Sequence, residues 1–167
     1  SVARSLIPAG TATLRDFSNI SPEIPLYIPE NCTGCMDCVT ECPDTAILGK
    51  VLSETELEEK IKGVPEADRA RFKLEWSKTK KYYDAYKKKL GDGGMFNIII
   101  DPSKCKGCAE CVTVCDDDAL KMVAKTDDLM VKARKSHRLF KNMGPSLFIE
   151  IMQKALFGEF RFFCNEN

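Results

Sequence analysis

The chain is organised around a stretch that reads Cys32-Thr33-Gly34-Cys35-Met36-Asp37-Cys38-Val39-Thr40-Glu41-Cys42-Pro43. A second stretch reads Cys105-Lys106-Gly107-Cys108-Ala109-Glu110-Cys111-Val112-Thr113-Val114-Cys115-Asp116. Both follow the pattern Cys-x2-Cys-x2-Cys-x3-Cys, and each cysteine of the second run lies at the same offset from its counterpart in the first. The sequence therefore contains a duplicated module.

This spacing is that of the bacterial ferredoxin run, which binds [4Fe–4S] clusters. Three cysteines at intervals of three residues can reach three corners of one cube. The fourth follows too closely, and in two-cluster ferredoxins it binds the other cluster. The predicted ligands of cluster one are Cys32, Cys35, Cys38 and Cys115, and those of cluster two are Cys105, Cys108, Cys111 and Cys42. We expect about eight irons, about eight acid-labile sulfides and no zinc.

Four further residues are predicted to lie against the clusters. Gly34 and Gly107 occupy matching positions, where the backbone has to approach the cluster closely and donate N–H groups. Pro43 follows the remote cysteine and fixes the chain as it leaves the cluster. Asp116 stands where the usual pattern has proline. We expect its negative charge to make cluster one the harder cluster to reduce, because added charge opposes reduction.

Other uses of these cysteines fit the sequence less well. Structural zinc sites usually have two cysteine pairs separated by a longer span. A disulfide scaffold is typical of short secreted chains, and we see no signal peptide. Neither run contains the histidines of a Rieske centre.

The composition limits the classes of protein to which the chain can belong. The chain has 167 residues, with 25 basic and 25 acidic side chains and nine cysteines. A formal charge of zero favours neither nucleic acid nor a membrane surface, and no stretch predicts a membrane span. Reduced cysteines are typical of the cytoplasm, so we expect a cytoplasmic protein. The chain begins with Ser1 and is interpreted as a processed or cut piece of something larger.

The predicted fold class is α+β: a bacterial two-cluster ferredoxin core with pseudo-two-fold symmetry, two small antiparallel sheets, a helical insertion and a helical C-terminal extension. Strands over 26–29 and 97–102 lead into the cysteine runs, and 46–48 and 119–123 are return strands. The predicted boundaries are an arm over 1–25, the ferredoxin domain over 26–125 with its insertion at about 50–95, and the extension over 126–167.

The insertion is predicted to hold two helices. Ser53 to Glu56 is a capping box with Gly63 as the helix stop, and Pro65 opens the next helix. Spacing places the following residues on one face of that second helix: Phe72, Trp76, Tyr83, Tyr86 and Leu90. We interpret them as core packing. The lysines of this region form either a docking surface for an acidic partner or an anionic cofactor, or a solvated face. They are Lys78, Lys80, Lys81, Lys87, Lys88 and Lys89.

The extension is predicted to begin with a helix from Thr126 to about Asn142, carrying His137 on the surface. A last helix over 146–157 follows. The apolar segment from Leu147 to Phe163 needs a partner to bury it, and Cys164 is interpreted as a buried or incidental thiol.

Residues 24–47, with Ile28-Pro29-Glu30-Asn31 before the first run, resemble the ferredoxin domain of the 2-oxoacid:ferredoxin oxidoreductases, the pyruvate:ferredoxin oxidoreductase family. Asp101-Pro102-Ser103-Lys104 and the long insertion share this resemblance, which covers about residues 5–142. It implies an enzyme that decarboxylates a 2-oxoacid with thiamine diphosphate, magnesium and coenzyme A on other domains or subunits. Electrons would leave through the clusters to an external ferredoxin or flavodoxin. A stand-alone ferredoxin and an iron–sulfur subunit of a hydrogenase-like complex remain alternatives.

Overall fold

The strands within residues 16–144 form two antiparallel sheets, each joining distant parts of the chain. The computed structural model describes residues 16–144. In the smaller sheet, β1 (Glu23–Tyr27) pairs with β5 (Leu120–Ala124). In the larger, β4 (Gly94–Ile100) lies between β2 (Ile47–Ser53) and β3 (Ser77–Lys78). The sheets and helices fit the predicted α+β class.

The central strand β4 separates two hydrophobic cores. All of its residues are buried, and alternate side chains of a strand point to opposite faces. Phe96 and Ile98 pack in the core that contains the cysteines. Met95 and Ile99 belong to a second core, built with helices. The apolar run Ile98-Ile99-Ile100 therefore serves both cores, which explains why it does not alternate with polar residues.

The first helices of the insertion begin where their capping signals predict. In α2 (Glu54–Lys62), the Ser53 hydroxyl accepts a hydrogen bond from the Glu56 N–H at 3.2 Å. The helix ends at Gly63, as predicted. The next helix, α3 (Glu66–Leu74), follows Pro65. The capping box and the proline thus mark real helix starts.

The prediction of one continuous second helix is wrong. After α3 come β3, a π-helical turn over Lys80–Asp84 and α4 (Ala85–Leu90). The chain leaves the helix because Ser77 and Lys78 pair with the free edge of β4. The Ser77 hydroxyl also donates to the Phe96 carbonyl at 3.2 Å. A regular apolar spacing does not reveal this interruption. Phe72 and Trp76 are buried in the helical core, which confirms core packing for these two.

Helix α6 (Asp127–Asn142) closes the helical core. It begins as predicted, with the Thr126 hydroxyl accepting the Leu129 N–H at 3.3 Å. At its other end, Lys50 Nζ donates to the Phe140 carbonyl at 2.6 Å, and Lys60 Nζ donates to the Met143 carbonyl. The Phe140 carbonyl also accepts the Met143 N–H at 3.3 Å, and the two lysines supply further donors at the helix end, where carbonyls lack the usual helical partners. The lysines therefore fix the end of α6 on the larger sheet and α2.

Several boundaries differ from the predicted ones. The arm was predicted over 1–25, but β1 begins at Glu23, and residues 29–31 form a 3₁₀ turn outside the strand. The described part of the arm lies on the core, where the Phe17 N–H donates to the Ser103 carbonyl at 2.7 Å. The predicted helix over 146–157, the apolar segment 147–163 and Cys164 lie outside the described residues. Within residues 16–144, no helix has the length and apolar character to cross a membrane.

Phe140 tests the contribution of α6 to stability. Its ring is 2% exposed, stacks on Trp76 at 6.2 Å and lies 4.6 Å from Lys50 Nζ. We expect Phe140→Ala to lower the free energy of unfolding by about 3–5 kcal/mol, because the change leaves a cavity. Anaerobic denaturant unfolding followed by circular dichroism measures the loss.

Leu74→Ala is the matched control for that substitution. Leu74 is 74% exposed, so its truncation should change the unfolding free energy by less than about 0.5 kcal/mol. Equal midpoint shifts for the two variants would contradict the packing of α6 against the helical core.

Candidate metal centre

The two cysteine runs fold into the same loop twice. In the first, Gly34 and Met36 adopt positive φ of 78° and 79°, and α1 (Asp37–Thr40) follows. In the second, Gly107 and Ala109 adopt φ of 69° and 66°, and α5 (Glu110–Thr113) follows. Two left-handed residues wrap each loop tightly before a single helical turn. The sequence predicted a special role for the glycines but missed the second position, because Met and Ala carry no turn signal.

The turn after the fourth cysteine is also repeated. Thr45 and Asp118 occupy matching positions and adopt φ of 49° and 52°. The Ala46 N–H donates to Cys42 Sγ at 3.3 Å, and the Ala119 N–H donates to Cys115 Sγ at 3.3 Å. Donors aimed at sulfur stabilise the thiolate that a metal requires.

The loops enclose two cavities, and each cavity contains cysteines from both runs. One, of about 320 Å³ including open solvent, is lined by Cys32, Cys35, Cys38 and Cys115. The other, of about 350 Å³ including open solvent, is lined by Cys42, Cys105, Cys108 and Cys111. Each cavity thus brings together one of the two ligand sets predicted from the sequence. No cysteine within residues 16–144 forms a disulfide.

The cysteine environment is apolar. Burial raises the pKa of the Cys38 thiol to about 12 and that of Cys111 to about 12. Burial also raises the pKa of Cys32 and of Cys105, while the Gly34 and Gly107 N–H groups oppose the shift. Thiols of this kind hold their protons until a metal displaces them. The four-thiol cavities and sulfur-directed N–H groups fit a cube with one thiolate on each iron.

The glycines have a packing reason besides their N–H groups. A Cβ at Gly34 would lie 2.9 Å from Tyr82 Cε2, and one at Gly107 would lie 2.2 Å from Ser21 Oγ. The first cysteine loop is therefore covered by the insertion, and the second by the residues before β1. Neither covering residue could be predicted from the sequence, because neither contact follows a local pattern.

The predicted residues after the fourth cysteines lie at the surface. Pro43 and Asp116 are both exposed, and neither lines one of the two cysteine-lined cavities. Asp117 lines the first cavity instead, where its carboxylate accepts a hydrogen bond from the Thr33 hydroxyl at 2.6 Å. The acidic side chain best placed to influence cluster one is therefore Asp117 rather than the predicted Asp116.

Asp101 anchors the chain before the second loop. Its N–H donates to the Ala46 carbonyl at 2.7 Å, and its carbonyl accepts the Cys105 N–H at 3.0 Å. The carboxylate accepts hydrogen bonds from the N–H and hydroxyl of Ser103. His137 Nε2 lies 3.6 Å from the other carboxylate oxygen, and the histidine side chain is 16% exposed. The prediction of a surface histidine is therefore wrong. An aspartate two residues before a serine is a turn signal that pointed to this anchor.

Comparison with known proteins supports the iron–sulfur interpretation. Residues 24–47 and 98–121 each match a 4Fe-4S binding domain. The chain is 36% identical over 115 residues to the mitochondrial pyruvate dehydrogenase [NADP(+)] of Euglena gracilis, covering 69% of this chain and 5% of that protein. It is 34% identical over 111 residues to a pyruvate-flavodoxin oxidoreductase of Nostoc, covering 65% and 8%. It is 31% identical over 110 residues to the pyruvate:ferredoxin oxidoreductase of Moorella thermoacetica, covering 66% and 8%.

These relatives confirm the resemblance to pyruvate oxidoreductases. The chain spans only 5% to 8% of the length of each of those three relatives, so it corresponds to a small segment of each.

Pairs of cysteine substitutions test the crossed ligand sets. Cys42→Ala with Cys105→Ala should remove one cluster and leave about four irons, because both residues line the same cavity. Cys42→Ala with Cys32→Ala should remove both clusters, because these cysteines line different cavities. Iron and sulfide analysis after anaerobic reconstitution measures the difference. If the second pair kept more iron than the first, each run would bind its own cluster.

His137 should make stability depend on pH. Burial lowers its pKa, although Asp101 acts in the opposite direction. The resulting stabilisation is complete above the unfolded value of about 6.5 and is lost as the pH falls through the lowered pKa. His137 is the only histidine of the chain, so His137→Gln isolates its effect. Between about pH 7 and about pH 5, we expect the denaturant midpoint to fall less in this variant than in the wild type. Parallel pH profiles would contradict this role.

Proposed function

Since the chain carries two 4Fe-4S binding domains and is homologous to a segment of the pyruvate oxidoreductases, we propose that it conducts electrons as the ferredoxin-like part of such an enzyme. The observation that carries the proposal is the lining of the two cavities. Each is lined by three cysteines of one run and the fourth cysteine of the other. When bound there, [4Fe–4S] clusters supply one-electron redox centres whose potentials depend on their surroundings.

The cysteines around each cavity would bind a cluster, and the neighbouring apolar side chains would separate it from solvent. The first is walled by Tyr27, Ile98 and Leu120, and the second by Pro25, Ala46 and Ile47. These apolar groups exclude water, which disfavours additional negative charge. The N–H groups of Ala46 and Ala119 act in the opposite sense, because they donate to sulfur. The chain thus sets the electron affinity of each site with burial on one side and N–H donors on the other.

The pseudo-two-fold core belongs to the proposal. It is supported by the matched left-handed residues of the two loops and by the exchange of strands between the halves. The predicted ligand roles of the eight cysteines, and the supporting roles of Gly34, Gly107, Pro43 and Asp116, are part of it too.

The chemistry of the substrate is assigned to other domains or subunits. We propose that thiamine diphosphate, magnesium and coenzyme A bind there, and that pyruvate or a related 2-oxoacid is decarboxylated to acyl-CoA. The small share of each relative that this chain covers supports that division. An external ferredoxin or flavodoxin would receive the electrons, in the cytoplasm.

Reduction by a 2-oxoacid tests the whole proposal. The assembly that contains this chain is isolated anaerobically and mixed with pyruvate, coenzyme A and thiamine diphosphate. We expect the visible absorption of the iron–sulfur chromophore to bleach, because electrons from the 2-oxoacid reach this chain. Omission of coenzyme A should suppress most of the bleaching.

Dithionite serves as the control in the same cuvette. Bleaching by dithionite but by no 2-oxoacid would contradict the pyruvate oxidoreductase assignment and leave electron transfer standing. A chain that dithionite cannot reduce would contradict electron transfer itself.

Asp117 should lower the reduction potential of cluster one. Its carboxylate lines that cavity, and a negative charge within several ångströms opposes the addition of an electron. Two unit charges at an effective dielectric of about 20 interact by roughly 2–3 kcal/mol at such distances, and solvent screening reduces this. For a one-electron couple, a tenfold change in the equilibrium constant corresponds to about 59 mV. We therefore expect Asp117→Asn to raise the potential by tens of millivolts. Redox titration followed by EPR measures the shift.

Asp116→Asn is the matched control for Asp117→Asn. Both aspartates are exposed, but only Asp117 lines the cavity, so the effect of Asp116→Asn should have the same sign and a smaller size. A larger shift in Asp116→Asn than in Asp117→Asn would contradict the placement of these carboxylates.

A further inference from the structure

A group of exposed lysines lies on the insertion. It consists of Lys80, Lys81, Lys87 and Lys88, in the π-helical turn and α4, and we call it the lysine face. Among the described residues, none of the four forms an ion pair with a carboxylate. With the exposed Asp84 between them, four lysines and one aspartate give a local charge of +3. The chain as a whole has a formal charge of zero, so this positive field is local.

The lysine face is attached directly to the first cysteine loop. Lys81 Nζ donates to the Gly34 carbonyl at 3.3 Å. The ring of Tyr82 lies against Gly34, where an added Cβ would be 2.9 Å away. Tyr82 also stacks on Phe96 of β4 at 5.1 Å, which ties the turn to the core. Cys35, the next residue along the loop, is exposed. A molecule bound to the lysine face would therefore lie beside the first cavity.

Within residues 16–144, fewer lysines lie beside the second cysteine loop. Lys104 is exposed, and Lys125, whose charge acts on Cys105, donates to the Ser18 carbonyl at 2.8 Å. The loop's own lysine, Lys106, forms an ion pair with Asp44 at 2.6 Å and lies over the Phe17 ring at 4.9 Å. Gly107 is covered by Ser21 rather than by a basic segment. The two loops thus share their fold, and the larger group of lysines without a carboxylate partner among the described residues lies beside the first.

Acidic side chains also lie beside the first cavity. Asp117 accepts a hydrogen bond from Thr33, and the exposed Asp116 and Asp118 flank it in sequence. A partner with an acidic surface would be attracted to the lysine face and repelled by these aspartates. Such a pair of opposite fields orients an approaching protein and raises its association rate.

We propose that the lysine face is the docking surface for an acidic protein that accepts single electrons. This inference rests on the proposed function and adds the site at which electrons leave the chain, which is the surface beside cluster one. The carrier binds to the lysines, one electron passes from the reduced protein to the oxidised carrier, and the reduced carrier leaves.

Charge reversal on the lysine face provides the test. The variant Lys80→Glu with Lys88→Glu leaves Lys81 and its bond to Gly34 in place. The matched control, Lys62→Glu with Lys132→Glu, makes the same change in total charge at exposed lysines on α2 and α6. Each cluster-loaded protein is reduced with dithionite, freed of the excess, and mixed in a stopped-flow instrument with oxidised flavodoxin as the acidic probe. Methyl viologen, a small cation, is the second acceptor.

We expect the second-order rate constant for flavodoxin to fall at least about tenfold at low ionic strength in the lysine-face variant. The control pair should change it less than about twofold, because rates respond to local fields more than to total charge. The wild-type rate should fall steeply with added salt and the variant rate only weakly. Reduction of methyl viologen should not slow in either variant.

Equal effects of the two variants on flavodoxin would overturn the docking surface. A loss of rate toward both acceptors in the lysine-face variant would also overturn it, because the lysines would then act on the redox centre and not on docking. Iron content and methyl viologen reduction report on electron transfer independently, so a failure of this inference is distinguishable from a failure of the proposed function.

Discussion

Exchange between the two halves of the chain is the constraint on which the rest of the structure depends. Each cavity takes its fourth cysteine from the other run. The sheets follow the same rule: β1 of the first half pairs with β5 of the second, and β2 pairs with β4. Neither half can therefore complete a cavity or a sheet alone. Metal binding and folding are coupled in such an arrangement, because the ligands come together only in the folded chain.

The duplication is symmetrical in its loops and asymmetrical in what covers them. Matching residues adopt the same left-handed conformation and point matching N–H groups at sulfur. Tyr82 and Lys81 of the insertion lie on the first loop, whereas Ser21 and Phe17 lie on the second. Segments outside the repeated module thus give two similar sites different charge environments.

Much of this organisation could be predicted from the sequence, because it depends on local spacing. The cysteine runs defined the cavities, and Ser53 and Thr126 marked helix starts that the structure confirms. The break after Leu74 could not be predicted, since it depends on the free edge of β4, a strand distant in sequence. The contact between His137 and Asp101 was missed for the same reason. The spacing of apolar residues shows which secondary structure one segment favours. Pairing with distant segments determines which structure forms.

The different roles of the lysines also could not be predicted from the sequence. Lys50 and Lys60 donate to carbonyls at the end of α6, and Lys106 is paired with Asp44. The lysines on the face beside Gly34 have no carboxylate partner among the described residues. Composition gives all of them the same charge, and only the fold separates structural lysines from those free to meet a partner.

The central claim is that one folded chain holds two [4Fe–4S] clusters at once. Native mass spectrometry of the anaerobically purified chain tests this most directly, because it weighs the intact protein with its inorganic content. The account predicts a single dominant species whose mass exceeds that of the polypeptide by two [4Fe–4S] units. A dominant species that carries zinc, or only one cluster per chain, would contradict it.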